Sequence, residues 1–249
     1  MIYWKNFLHL PTIWRFKIKP RPQFFYKYHP INKYAIELLE NHSLWGGNAL
    51  ALNDPYDCEF DLTEEFINTK YLNDLLLEEQ FKKVPSEHLN IARTFLSTDE
   101  GVQKELVKVY KSAMNVCCFT ANPLSELMWS HYADSAKGVC FKFGFHKSSE
   151  ILRRIMPIKY SNKRIIAKNE FDRAKAFFQK RTSWRYEKEW RVLYDNENIP
   201  FEKSELVEII FGPRTSEAEI ENMKEICKKN DYNVKFSSCV YDKKGLVII

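Results

Sequence analysis

Glu187, Glu189 and Arg191 recur at every second position of K-R-T-S-W-R-Y-E-K-E-W-R-V. In an extended chain that spacing puts all three on one face of a strand, in a row about 13–14 Å long at ~3.4 Å per residue. Two carboxylates so placed repel each other unless a cation or a ligand intervenes. Arg191 neutralises one of them, which leaves the other to meet a hydroxyl or a developing positive charge. The same residues also suit a surface ladder of Glu, Lys and Arg worth a few tenths of a kcal/mol. Trp184 and Trp190 on either side of the row argue for a partly buried cleft, and make Trp184 a candidate wall.

A second cluster, L-M-W-S-H-Y-A-D-S-A-K-G, places Trp129, His131 and Tyr132 within one helical turn and Lys137 just beyond. Trp129 and Tyr132, at i and i+3, read first as core anchors on one helix face. Their second reading is a platform on which a planar ring stacks. In the third cluster, N-D-P-Y-D, an Asx turn accounts for Asn53 and Asp54, and Asp57 follows. A calcium loop needs more oxygen ligands at regular spacing, and no Cys or His spacing fits zinc. The seven glycines allow neither G-x-G-x-x-G nor a phosphate loop of the G-x-x-x-x-G-K type. Cys117 and Cys118 would face opposite sides of a strand, so they cannot share an ion.

The elements that must hold these side chains follow from periodicity. Phe24 to Tyr28 reads as a strand, 30–41 as a helix opened by Pro30, and Leu44 and Trp45 as a short strand. Residues 63–113 have helical periodicity with breaks near Pro85 and Ser97, and Asp99 is placed to cap a helix. Strands are predicted at 116–120, 137–145, near 156–160, at 187–194, 205–211, 233–241 and 245–249. Helices are predicted at 123–134, 147–154, 165–181 and 216–230. Strands and helices in this order describe an α+β fold, with mixed, mainly antiparallel sheets, flanking helices and a helical insertion around 63–113. The reading is one domain over 23–249, preceded by a basic extension or edge strand at 1–22.

Composition bounds the class. The 249 residues are 45% hydrophobic, 29% charged and 15% aromatic, a globular balance with apolar runs far shorter than the ~20 residues that span a bilayer. No membrane role is expected. Six cysteines without C-x-x-C spacing, and a start that lacks a secretory pattern, point to reduced thiols in a cytoplasm. The net charge of +5 is uneven, because residues 1–36 hold seven cations and no acid. Alternation of Arg15, Lys17, Lys19 and Arg21 suits a charge-blunted edge strand; the same segment could hold a nucleic acid.

Taken together, F-Y-K-Y at 25–28, N-D-P-Y-D at 53–57, C-C-F-T at 117–120, M-W-S-H-Y-A-D at 128–134, W-R-Y-E-K-E-W-R at 184–191 and I-I-F-G at 209–212 resemble the bacterial family called domain of unknown function 2971. The resemblance covers about residues 24–241 and implies a fold but no activity. A more distant likeness is to ADP-ribosyltransferases, which split the nicotinamide bond of NAD around a Glu-x-Glu pair on a late strand. That likeness aligns Tyr26-Lys27-Tyr28, then Trp129 to Tyr132, then Glu187-Lys188-Glu189. It implies NAD as substrate, with Glu189 polarising the ribose, Glu187 positioning the acceptor, and Trp129 and Tyr132 stacking on the ring. Lys27 and Arg191 would offset phosphate charge. The expected function is therefore a cleft for a nucleotide or small phosphate ligand, of ADP-ribosyltransferase type. The alternative is a non-catalytic module that binds single-stranded nucleic acid or a protein partner.

Overall fold

The computed structural model describes residues 20–67 and 85–249. Of the expected edge strand, Arg15, Lys17 and Lys19 lie outside these residues, as does 68–84 of the expected helical insertion, and Arg21 lies in irregular chain ahead of strand Phe25–His29. The chain forms two compact units. The first holds the residues up to Gly47, Asn115–Ile158 and Ser183–Ile249, and the second holds Asn48–Met114 and Lys159–Thr182. The fold is α+β with mixed, mainly antiparallel sheets, as the order of periodicities implied.

In the first unit one sheet runs Gly245–Ile248, Lys235–Asp242, Leu206–Phe211, Val139–Phe143, Phe25–His29, Asn115–Thr120, Glu189–Tyr194, Met156–Pro157. Leu206–Phe211 and Lys235–Asp242 pair in parallel, while the other neighbours on this path are antiparallel. Side chains alternate across a strand, so the register sorts the residues into two faces. One face is a hydrophobic core. It gathers Phe25, Phe119, Phe141, Phe143, Trp190, Val192, Ile209 and Phe211 under helices Lys33–Asn41 and Glu217–Lys229. Asn32 caps the first of these helices, and Ser216 with Glu219 closes a capping box on the second, so each starts where its sequence supplies an oxygen for the orphan backbone donors.

The opposite face is polar. Glu208, Lys142, Tyr26, Thr120 and Glu189 are successive cross-strand partners, a row running over five strands. Beside it lie Ile210, Cys140 and Tyr28, and on the far strands Cys118 opposite Arg191. Helix Glu126–Tyr132 packs here through Met128 and Trp129.

The second unit holds helices Glu64–Ile67, Ser86–Thr98 and Glu100–Ser112 within the expected helical stretch, and Asp99 accepts from the Val102 amide as a cap. The expected helix at 165–181 is instead strand Ile165–Ala167, helix Glu170–Ala176 and strand Gln179–Lys180. Asn169 explains the break: its side chain caps from the middle of the stretch, accepting from the Asp172 amide at 2.9 Å. Upstream of it, Ile165–Ala167 pairs in parallel with Phe60–Leu62.

His29 ends the first strand with its Nδ1 2.7 Å from the Pro30 carbonyl, to which that ring nitrogen donates. Burial, reinforced by the nearby Lys27 ammonium, lowers its pKa from the ordinary 6.5 to about 4, although the Pro30 hydrogen bond works the other way. A depressed histidine pKa means that the unfolded chain takes up the proton first. Its stabilising contribution is complete above pH 6.5 and is lost as the pH falls towards 4. His29→Gln keeps a donor and removes the titration. Denaturant melts at pH 7 and pH 4 should show the parent losing about 2–3 kcal/mol more than the variant over that interval. Equal losses would contradict a neutral His29.

Candidate functional site

Glu189 and Arg191 sit on the polar face as expected, but Glu187 does not share their strand. The strand spans Glu189–Tyr194, while Glu187 ends a 3-10 stretch, Thr182–Glu187, and Lys188 between them turns left-handed with φ 46°. The local cause is a substitute for ladder pairing. Thr120 Oγ1 donates to the Glu187 carbonyl at 2.5 Å and the Lys188 amide donates to the Arg185 carbonyl at 3.3 Å, which together stop the alternation two residues early.

The displaced carboxylate is still engaged from the polar side. Tyr132 OH, at the end of helix Glu126–Tyr132, donates to Glu187 Oε1 at 2.6 Å. Arg191 Nε donates to Glu189 Oε1 at 2.7 Å. Glu187, Glu189 and Arg191 are 2%, 4% and 0% exposed, so the solvated surface ladder does not occur. Between them and the first strand lies Cys118. Burial pushes its thiol well above the ordinary range and the Glu189 carboxylate raises it further, more than the neighbouring cations offset. Such a thiol is no nucleophile at neutral pH.

The other expected site residues divide. Tyr26 and Tyr28 lie on the polar face, and Tyr26 is the more open of the two. Tyr28 is buried, donates to the Asn122 carbonyl at 2.9 Å and meets Trp129 edge-on at 5.0 Å. Trp129 is 1% exposed with its indole N–H on the Pro123 carbonyl, so it is a core anchor and its ring is not available for stacking. Tyr132 is half-buried, and the exposed His131 ring lies 6.4 Å from both Tyr132 and Tyr186. Trp184 stands 6.1 Å from Tyr186, whereas Trp190 belongs to the core on the opposite face. Lys27 is there too: its ammonium donates to the Cys118 carbonyl at 3.3 Å and lies over the Phe119 ring, so strand parity separates it from Arg191. Lys137 is exposed in the turn that follows the helix.

Asn53, Asp54 and Asp57 belong to the second unit. Asp54 makes the expected Asx turn, accepting from the Tyr56 amide at 2.9 Å. Asp57 is buried and lies 3.7 Å from Lys180. Among the described residues no group of three His, Cys, Asp or Glu side chains is placed to hold a metal ion. None of the helices described is long and apolar enough to cross a membrane.

Sequence reasoning missed the part of the polar row beyond Tyr26. Glu208 is 5% exposed and accepts from Lys142 at 2.7 Å and from Ser237 at 2.6 Å. Burial alone would raise its carboxyl pKa, but hydrogen bonds from Lys142, Ser237 and Lys235 outweigh that and hold it below the usual range. The signal in the sequence was a glutamate inside the apolar run L-V-E-I-I-F.

The family described as Protein of unknown function (DUF2971) matches residues 128–192. That span contains helix Glu126–Tyr132 from Met128 onward and the Glu187-to-Arg191 cluster, but neither F-Y-K-Y nor N-D-P-Y-D. None of the curated proteins compared matches the chain. None of the solved structures compared matches it either.

Proposed function

We propose that the polar face of the first unit is a nucleotide site and that its chemistry is ADP-ribosyl transfer from NAD. The observation that carries this reading is the pair of buried carboxylates, Glu187 held by Tyr132 and Glu189 held by Arg191, on the same face as Tyr26. Burying ionised groups costs several kcal/mol each before partners compensate, and replacing such clusters with apolar residues often stabilises a fold. Carboxyl groups kept in that position, beside a left-handed Lys188, suit a site better than a scaffold.

In the reaction, the bond from ribose C1′ to the nicotinamide nitrogen breaks, and its electron pair leaves with neutral nicotinamide. The oxocarbenium-like centre is then captured by an acceptor that loses a proton. A carboxylate at Glu189 accepts from a ribose hydroxyl and stabilises that charge, and Arg191 fixes the carboxylate's position. Glu187, oriented by Tyr132, takes the acceptor's proton. Tyr132 and Tyr186 supply partly exposed rings beside them. Trp129 and Lys27, by their placement, have no part in it.

Glu189→Gln removes the charge and keeps the shape. Nicotinamide release from NAD, measured with and without protein or nucleic acid acceptors, should fall at least a hundredfold in the variant, with circular dichroism unchanged. A parent that releases no nicotinamide under any of these conditions, or a variant equal to it, ends the reading.

A further inference from the structure

The second unit contains a cavity of about 100 Å³ lined by Tyr56, Glu59, Lys163, Arg164, Lys180 and Arg181 together with the polar 161–162 and 179 positions. Four cations thus face one acid. Arg164 is engaged by Asp61, its Nε 2.7 Å from Oδ2, and the buried Lys180 by Asp57 at 3.7 Å. Glu59 is itself neutralised by Lys111 at 2.6 Å. Lys163 and Arg181 pair with no carboxylate among the described residues, and the Arg181 guanidinium carbon lies over the Tyr56 ring, 3.9 Å from its centre. Two positive charges are therefore left over at one small, walled space.

The walls are built, not incidental. Ser161 N donates to the Lys180 carbonyl at 2.9 Å, Thr182 N and Oγ1 both bond to Asn162 Oδ1, and Gln179 Nε2 donates to the Lys163 carbonyl at 2.6 Å. These bonds lock the 161–164 loop against the 179–182 segment. On the other side the N-D-P-Y-D motif acts twice: Asp54 sets the turn that presents Tyr56, and Asp57 holds Lys180 at the cavity. Size and charge select the ligand. About 100 Å³ of such space holds several waters at ~10–15 Å³ each and so has room for a tetrahedral oxyanion. A phosphate monoester dianion matches the two uncommitted cations, and Arg181 can grip two of its oxygens at once.

We infer that this cavity binds the phosphoryl group of a small-molecule phosphate, with Lys163 and Arg181 as its ligands and Tyr56 at the mouth beside whatever the phosphate carries. The inference is independent of the NAD reading, which concerns the first unit.

Isothermal titration of the full chain at low salt with inorganic phosphate, AMP and, as a singly charged control, acetate tests it. Phosphate or AMP should saturate one site while acetate gives no heat. Lys163→Ala and Arg181→Ala should each weaken binding at least tenfold, and Glu189→Gln should leave it unchanged. Tighter binding of AMP than of phosphate would assign the sugar or base to Tyr56. Equal binding would make the free oxyanion the complete ligand; both results uphold the site. Both substituted side chains are exposed, and Lys163→Gln gives a second, milder replacement if either alanine variant misfolds. No saturation by phosphate or AMP up to about 10 mM, beyond the weak millimolar limit at which binding is worth ~3–4 kcal/mol, or equal affinity in parent and variants, overturns the inference.

Discussion

Arg191→Leu should lower the stability of the protein by about 3–5 kcal/mol, because the change removes the cation that donates to a carboxylate only 4% exposed. Arg191 is 0% exposed and donates to Glu189 at 2.7 Å, so the two charges were removed from water together. The double variant Glu189→Leu/Arg191→Leu takes away both charges and leaves apolar volume between Cys118 and Thr120. It should recover most of the loss, since a buried pair replaced as a unit is often neutral or stabilising. Urea melts of the four proteins in the cycle measure the coupling. A single variant within about 1 kcal/mol of the parent would mean that water reaches the pair. The double variant also separates two roles. If the pair served the fold, the recovered protein would behave as the parent; if it serves chemistry, a well-folded double variant should release no nicotinamide.

Much of the frame around this pair was legible in the chain alone. Helix starts were readable because capping is local: Ser216 with Glu219, and Asp99 ahead of Val102, need only a few residues to declare themselves. Strands such as Leu206–Phe211 were readable because an apolar run bounded by turn residues has few alternatives. The site was legible only in part. Alternation placed Glu189 and Arg191 on one face, but Glu187 left the strand because Lys188 adopted a left-handed conformation that nothing in E-K-E announces. Lys27 was paired with Arg191 by function, although its odd position next to Tyr26 and Tyr28 assigns it to the other face by parity alone. Trp129 could be a core anchor or a stacking ring. What decided was the carbonyl of Pro123, six residues away in sequence but brought to its indole by the turn before the helix. The row from Glu208 to Glu189 needed the order of five strands, which only non-local pairing specifies.

The stretch after helix Glu126–Tyr132 carries the other large effect, and Gly138→Ala should cost more than about 3 kcal/mol or prevent folding, at the upper end of overpacking penalties. Asp134, Ser135 and Ala136 have φ of 46°, 53° and 69°, three consecutive left-handed residues that turn the chain back towards strand Val139–Phe143. At the end of this turn a Cβ on Gly138 would stand 2.3 Å from the His29 carbonyl oxygen and 3.0 Å from backbone atoms of Ala133. None of these can retreat. His29 is registered against Val139 in the sheet, and the Gly138 amide donates to the Ala133 carbonyl at 2.8 Å. The Gly138 carbonyl in turn accepts from Gly212 N and Thr215 Oγ1, both at 2.9 Å. Gly212 is confined in the same way, its added Cβ falling 2.3 Å from the Ala136 carbonyl oxygen. Two comparisons separate crowding from backbone preference. Gly245→Ala, at φ +125° with nothing within 4 Å of the new methyl, should cost only the conformational strain, about 1–3 kcal/mol. Ser135→Gly relieves an exposed left-handed residue and should lose nothing, with a gain of up to about 1 kcal/mol. Thermal melts that rank Gly138→Ala and Gly212→Ala well below Gly245→Ala would establish that the two glycines are needed for close backbone approach. The reverse order would make chain flexibility the cause, and close approach would no longer explain why the turn sits beneath Trp129.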